Sequence, residues 1–390
     1  MRYMSPPEPV DFFDIRALLD DDERLIRDTV ARFVDREVAP LMAECFATER
    51  FPSELVARLA ELGLFGATLR GYGCAGLTHT AYGLICEELE RGDSSIRSCV
   101  SVQSSLVMGC IFACGSEEQR SRWLPELARG TKLGCFALTE AHGGSDPGRM
   151  RTHARRHGGD WVIDGAKLWI TNGALADVAI VWAVTDDGIK AFLVEKGTSG
   201  FRSHVIKNKL SLRASSTAEL EFADVHVPDS ARLPDANGLK AALRCLDEAR
   251  FGIAWGACGA ARDCIDTALS YTQSRELFGR PLNHTQLIQT RLANDVRQLT
   301  AAQLLAWRLA KLKEAGTAST AHISLAKWNN VRAALDVARD CRDMLGAAGV
   351  TLDHSPMRHM LNLETVITYE GTESIHELIV GRELTGQGAF

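Results

Sequence analysis

The sequence predicts an α+β fold built in three successive parts: helical, β, then helical again. Three observations predict it. Apolar residues recur at helical spacing from Asp20 to about Gly130, short strand-like runs follow from Leu133 to about Val227, and helical spacing returns after Pro234. On this division residues 1–132 form an N-terminal helical domain, residues 133–236 a β-barrel or sandwich, and residues 237–390 a C-terminal four-helix bundle.

Each part has its own signals. The stretch DDDERLIRDTVARFVDREVAP puts Leu25, Ile26, Val30, Phe33, Val34 and Val38 on one stripe. Acidic residues open it, as the helix dipole favours, and Pro40 is expected to close it. Ser116 and Gln119 form a capping box ahead of EEQRSRWLPELA. The runs GCFALT, DWVIDG, KLWIT, ADVAIVWAVT, GIKAFLVE, FRSHVI and AELEFADVHV read as strands, punctuated by Gly158-Gly159, Asn172-Gly173 and Asp186-Asp187-Gly188. Residues 238–274, 284–314 and 318–346 read as long helices, broken at Gly279-Arg280-Pro281 and Gly316. A last helix is predicted to start near Ser374, with Ser374 and Glu377 as its capping box.

Composition narrows the classes. A net charge of −6 and a pI near 6.0 argue against a nucleic-acid partner, which normally meets a basic face. The eleven cysteines are scattered through mostly apolar stretches with no C-x2-C pair, so they read as reduced thiols. No histidine spacing suits a metal. The opening MRYMSPPEPVDFFD lacks a signal core, and the apolar run Leu106–Cys114 is too short to span a bilayer, so a soluble chain is expected. The expected compartment is the bacterial cytoplasm, or the mitochondrial matrix if the source is eukaryotic.

Three features invite a function and carry none. Gly71 to Gly76 spells G-x-G-x-x-G, but a helical segment precedes it where a dinucleotide fold needs a strand, so it reads as a turn. Arg149, Arg151, Arg155 and Arg156 read as a solvated strand face. Gly252, Gly256 and Gly259 read as a close helix contact.

Three polar islands remain: Leu138-Thr-Glu-Ala-His-Gly-Gly-Ser-Asp146, Trp169-Ile-Thr-Asn172 and Tyr369-Glu-Gly-Thr-Glu-Ser374. Singly each could be a loop. A flat ligand with apolar faces needs an apolar or aromatic wall and polar donors at its rim, and Trp169, Thr171, Thr139 and Ser145 are of those types. Glu370 stands before Gly371, which would let backbone approach a substrate closely. Arg97 falls inside an apolar helical run, where it is open to three readings: a bridge to Glu90, a solvated side chain, or an anion site.

Together, in this order, the islands resemble the acyl-CoA dehydrogenase family over Asp20 to Phe390. The resemblance implies an acyl-CoA dehydrogenase-like fold with FAD as cofactor. It assigns flavin contacts to Leu138, Thr139, Ser145, Trp169, Ile170 and Thr171, with Ser145 also touching the CoA ester. It has Arg275, Phe278 and Gln286, then Asp343 and Gly346, reach the cofactor of a neighbouring subunit, and it adds Thr372 and Ser374 at a helix start. Ala347 and Ala348 depart from the glycine and asparagine usual in that segment. A homo-oligomer, usually a tetramer, and an electron-transfer flavoprotein as acceptor are implied as well.

The matching glutamate, Glu370, would be the base that removes the substrate α-proton, with its N–H helping to hold the thioester oxygen. Arg97-Ser-x-x-Ser101 further resembles the glutaryl-CoA dehydrogenases, in which Arg97 and Ser101 would hold the distal carboxylate. Glu90, Ser98, Thr171 and Tyr369 match a network that accompanies decarboxylation, Gly371 adjoins the thioester, and Arg250 is the candidate contact to CoA. The alternatives are a neutral short or branched acyl chain, or a non-catalytic flavoprotein or scaffold.

Overall fold

The structure is a computed structural model that describes residues 10–388. The reading of the first residues as lacking a signal falls mostly on residues 1–9, outside the described residues.

The N-terminal part is helical. Helix α1 (Asp21–Phe33) starts at Asp20, whose carboxylate accepts the Glu23 N–H at 2.8 Å while Glu23 accepts the Asp20 N–H at 3.1 Å. Pro40 does not close this helix. A π-helical turn at Val34–Val38 leads straight into α2 (Ala39–Thr48), and Pro40 sits in the first turn of α2, where its missing N–H is tolerated. Helix α3 (Leu55–Glu61) is followed by a hairpin of β1 (Arg70–Gly71) and β2 (Cys74–Ala75), the turn expected of the glycine-rich stretch. Helix α4 (His79–Gly92) ends at Asp93, which caps α5 (Ser94–Ser101) by accepting the Ser95 N–H at 2.7 Å.

Helix α5 continues through a π-helical turn at Val102–Met108 into α6 (Gly109–Cys114). The run Ser94–Cys114 is therefore one rod, long and apolar enough to cross a membrane by length and composition. The sequence reading took it as shorter because serines and Gln103 interrupt it. With 83% of its most apolar window buried inside the protein, it is a core helix. Helix α7 (Glu117–Ala128) begins with the predicted Ser116–Gln119 capping box.

The middle strands are β3 (Gly134–Ala137), β4 (His153–His157), β5 (Asp160–Thr171), β6 (Val178–Thr185), β7 (Gly188–Glu195), β8 (Phe201–Val205) and β9 (Thr217–Val227). They form a seven-stranded sheet among the described residues, in the order β3-β6-β4-β5-β9-β8 with β7 paired to β6. Both faces are covered. Phe136, Ile180 and Trp182 join the core shared with the helices, while Cys135, Val181 and Phe192 face a second core on the other side. That alternation explains why β6 reads as an unbroken apolar run.

Helix α8 (Leu239–Ser274) opens the C-terminal part, followed by the hairpin β10 (Glu276–Leu277) and β11 (Arg280–Pro281). Helices α9 (Gln286–Glu314), α10 (Thr320–Met344), α11 (Ser355–Val366) and α12 (Glu373–Thr385) complete it. The sequence reading did not separate α11. It also misplaced the cap of α12: Thr372 accepts the Ile375 N–H at 3.3 Å, so Thr372, not Ser374, is the cap. Helix α8 lies against α4 and α10, which brings residues from the first and last thirds of the chain to one place.

Candidate active site

The loop between α11 and α12 carries Tyr369, Glu370 and Gly371. Glu370 adopts a left-handed backbone (φ 53°) and Gly371 follows at φ 99°. A non-glycine residue there is strained and persists only when its surroundings hold it. Two buried cations do so. Lys327 donates to the carbonyls of Tyr369 and Gly371 at 2.9 and 2.7 Å, and Arg250 Nε donates to the Glu370 carbonyl at 2.7 Å. An added side chain at Gly371 would come within 2.9 Å of the buried His376 ring, so the turn requires glycine on steric grounds too. The Glu370 N–H finds no acceptor among the described residues.

Electrostatics suit a base. Burial raises the Glu370 carboxyl above its ordinary range, against the opposing pull of Arg97, Arg250 and Lys327. Its Oε2 is buried and unpartnered. Burial likewise brings Lys327 down to about 7 and His376 to about 3, the latter helped by Lys327 and Arg250.

Next to this loop lies a buried ion pair. Arg97 and Glu90 are both fully buried, with Arg97 Nε 2.6 Å from Glu90 Oε2, and a second guanidinium nitrogen donates to the Tyr369 hydroxyl. The bridge reading of Arg97 is therefore correct, and the solvated reading is not. The bridge leaves donors over: Arg97 Nη1 and Ser101 Oγ are buried with no partner, as is Glu90 Oε1. Ser98 is buried beside them in α5. Gly256 of α8 makes the room, because a side-chain carbon there would lie 2.0 Å from Glu90 Oε2. The glycine repeat in α8 is the close helix contact expected, and this member also shapes the site.

The first two islands meet at the sheet. Buried Lys167 donates to the Leu138 carbonyl at 3.0 Å and to Glu140 at 2.8 Å, and Glu140 also accepts the Arg151 and Thr152 N–H groups. Between Lys167 and Ile170 the β5–β9 register shifts, which marks a bulge. At the bulge Trp169 takes a left-handed backbone (φ 63°) and its side chain is 58% exposed. Strain spent to present a bare indole fits a flat apolar ligand better than a packing role. Thr139 and Thr171 are half-buried and Ser145 is exposed, so their polar groups are accessible. Leu138 and Ile170 turn their side chains into the cores and have only backbone to offer. These residues fit a flavin.

The remaining candidates lie on the C-terminal surface. Arg275, Gln286, Asp343 and Gly346 are exposed, and Phe278, at the tip of the β10–β11 hairpin, is 98% exposed with φ 54°. Asp343 contacts Arg291 at 3.0 Å. Thr372 caps α12, and Ser374 is exposed. Arg250 is 6% exposed, with its Nε held by the Glu370 carbonyl at 2.7 Å and its Nη1 by Asp247 at 2.9 Å, so it also supports the loop. No group of His, Cys, Asp and Glu among the described residues could hold a metal. Lys327, His376 and Lys167 were not singled out from sequence. Lys327 had a signal, since it shares a stripe of α10 with Ile323, Asn330 and Ala334, all buried.

A helical, β, helical chain that presents a bare indole from its sheet and a carboxyl raised by burial from its last loop has the parts of a flavin-dependent dehydrogenase. Family models described as the acyl-CoA dehydrogenase N-terminal, middle and C-terminal domains match residues 20–131, 135–225 and 236–385. The chain belongs to the acyl-CoA dehydrogenase family, whose members bind FAD. It is similar to a glutaryl-CoA dehydrogenase structure from Mycobacterium smegmatis in complex with FADH2: 54% identity, TM-score 0.97, covering 98% of this chain and 99% of that one. A chain in an Acidaminococcus fermentans electron-transferring flavoprotein structure is 33% identical, with TM-score 0.91 and coverage of 95% and 99%. The mitochondrial short-chain specific acyl-CoA dehydrogenase of Bos taurus is 37% identical over 94% of this chain and 90% of its own length.

Proposed function

We propose that the chain oxidises glutaryl-CoA with FAD and decarboxylates the product to crotonyl-CoA and carbon dioxide, passing electrons to an electron-transfer flavoprotein. One observation carries the substrate: Arg97 Nη1 and Ser101 Oγ, one turn apart on α5, are buried donors without partners, and the Arg97 charge is felt by Glu370. A carboxylate at the end of a short acyl chain would satisfy both, and a neutral tail would satisfy neither. The 54% identity to a glutaryl-CoA dehydrogenase supports this reading.

Bound FAD supplies the acceptor for the β-hydrogen. Glu370 takes the α-proton, and its free N–H is available to the thioester oxygen as negative charge develops there. The distal carboxylate then leaves as neutral carbon dioxide, its electrons passing into the conjugated thioester. The Glu90–Arg97–Tyr369 network suits this step because Arg97 already has a counterion to fall back on. Protonated Glu370 returns its proton to the far carbon of the dienolate. Trp169, Thr171 and the exposed Arg275 and Phe278 would hold the cofactor, the latter two across a subunit interface of an oligomer.

The same counterion favours the second reading, a neutral short-chain substrate, since Arg97 is already neutralised by Glu90 and the Bos taurus relative is named for short chains. Product analysis with glutaryl-CoA and butyryl-CoA separates them. Stoichiometric crotonyl-CoA and carbon dioxide from glutaryl-CoA support the first reading. Accumulating glutaconyl-CoA removes decarboxylation, and turnover of butyryl-CoA alone establishes the second.

A further inference from the structure

Helix α10 buries a lysine where its sequence pattern calls for an apolar residue. Lys327 is 1% exposed and lies among Ile323, Ala326, Val331 and Ala334. An ammonium in such a place is costly unless its hydrogens are taken up. Here two of the three are taken up by main-chain carbonyls, those of Tyr369 and Gly371, which flank Glu370 on either side. Arg250 of α8 takes the carbonyl between them. Three successive carbonyls are thus each bound by a buried cation, and the middle residue is the one held in a left-handed conformation.

We propose that Lys327 is a positioning residue for the base: its ammonium staples the carbonyls on both sides of Glu370 and so holds the turn that aims the carboxylate and leaves the Glu370 N–H unengaged. The inference rests on the reading of Glu370 as the base. A bare structural role needs neither the charge nor the two-sided attachment, since an apolar residue would fill α10 equally well. Holding the turn has a clear advantage for catalysis. A left-handed glutamate is strained when unsupported, so a loosened loop would relax and carry the carboxylate away from its target. The charged and titratable groups facing Lys327 are Glu370, Arg250 from α8, Arg97 from α5, and Glu373 and His376 from α12. Of these, Glu370 feels Lys327 as a positive charge that stabilises its ionised form.

The test compares Lys327→Met, Lys327→Gln and Lys327→Arg in the FAD-loaded enzyme, with turnover expressed per bound flavin. Lys327→Met is expected to keep flavin and to change KM little, while kcat falls about 100-fold, the size typical of an ångström-scale misplacement. The acidic limb of its kcat profile should move to higher pH, because a cation facing Glu370 is gone. Lys327→Arg should recover part of the lost kcat and return the limb towards its original place. Lys327→Gln, still a donor but uncharged, stands in if the methionine variant does not fold, with the same loss of kcat expected. Wild-type kcat per flavin in the methionine or glutamine variant overturns the proposal, as does failure of both to fold, which would make the lysine structural. Glu370→Gln runs alongside: if that variant turns over normally, the reading of Glu370 falls, whatever the lysine variants do.

Discussion

Arg97 and Glu90 form an ion pair 2.6 Å long in which both side chains are fully buried, and it still leaves Arg97 Nη1 without a partner. A pair sealed purely for stability would be expected to use the rest of the guanidinium fork. The same guanidinium donates to the Tyr369 hydroxyl and its charge is felt by Glu370, which makes the pair the natural place to measure substrate choice.

Arg97→Met should lower kcat/KM for glutaryl-CoA by at least about 100-fold, in line with the roughly 3–5 kcal/mol lost when one partner of a buried pair is removed. Butyryl-CoA should lose much less. Steady-state kinetics on both substrates decide it, ideally with Glu90→Gln combined so that no lone carboxylate stays buried. Equal losses on the two substrates would leave Arg97 a structural role.

Glu370→Gln should lose about 10²–10⁴-fold in turnover while keeping flavin, as expected for removal of a general base. It should also melt higher at neutral pH. The folded carboxyl titrates above the unfolded one, so its contribution to stability is complete below the unfolded value and is lost as pH rises through the folded value. At neutral pH the ionised base is therefore a liability to the fold. A variant that melts lower than wild type at pH 7 and gains on acidification would contradict this account.

Trp169→Ala should fold like the parent, because 58% of the side chain is exposed, yet purify with less FAD. The flavin-to-protein absorbance ratio and a melting curve of the stripped protein give both readouts. Full flavin content in this variant would show that the indole does not wall the cofactor.

Asp295, 2% exposed in α9, has its carboxyl pushed up to about 7, chiefly by burial and then by neighbouring Asp340. Its contribution to stability is present below the ordinary value of 3.8 and is lost as pH rises through about 7. Asp295→Asn should therefore melt progressively higher than wild type as pH goes from 5 to 8. Parallel melting-temperature curves for the two proteins would assign the carboxyl an ordinary titration.

What the sequence revealed follows from how local each signal is. The three-part order and the long helices α8, α9 and α10 were legible because their apolar spacing persists over many turns. The rod Ser94–Cys114 was underestimated because its serines and Gln103 are polar in letter but buried in place. Helix α11 was missed: it is short, begins at a proline-containing turn, and runs almost into the loop that carries Glu370.

At the site, Glu370, Arg97 and Trp169 were legible through the family resemblance of the segments around them, since by type alone a glutamate at a helix start and a tryptophan in a strand are ordinary. The left-handed backbones of Glu370 and Trp169 have no letter of their own, since neither residue favours that conformation. The support that Arg250 gives the loop was hidden for a related reason. Its acceptor is 120 residues away in the chain, so nothing near it in sequence marks it as facing inward.

The notch at Gly256 has an evolutionary consequence. A methyl group there would occupy the space of Glu90 Oε2, so the two positions are epistatic. Gaining any side chain at 256 is barred while Glu90 keeps its place, and losing the carboxylate first would strand the Arg97 charge. A lineage that replaced the buried pair and filled the notch would have to change positions 90, 97 and 256 in concert, or pass through a poorly folded intermediate. The buried charge pair is thereby guarded by a residue that has no side chain at all.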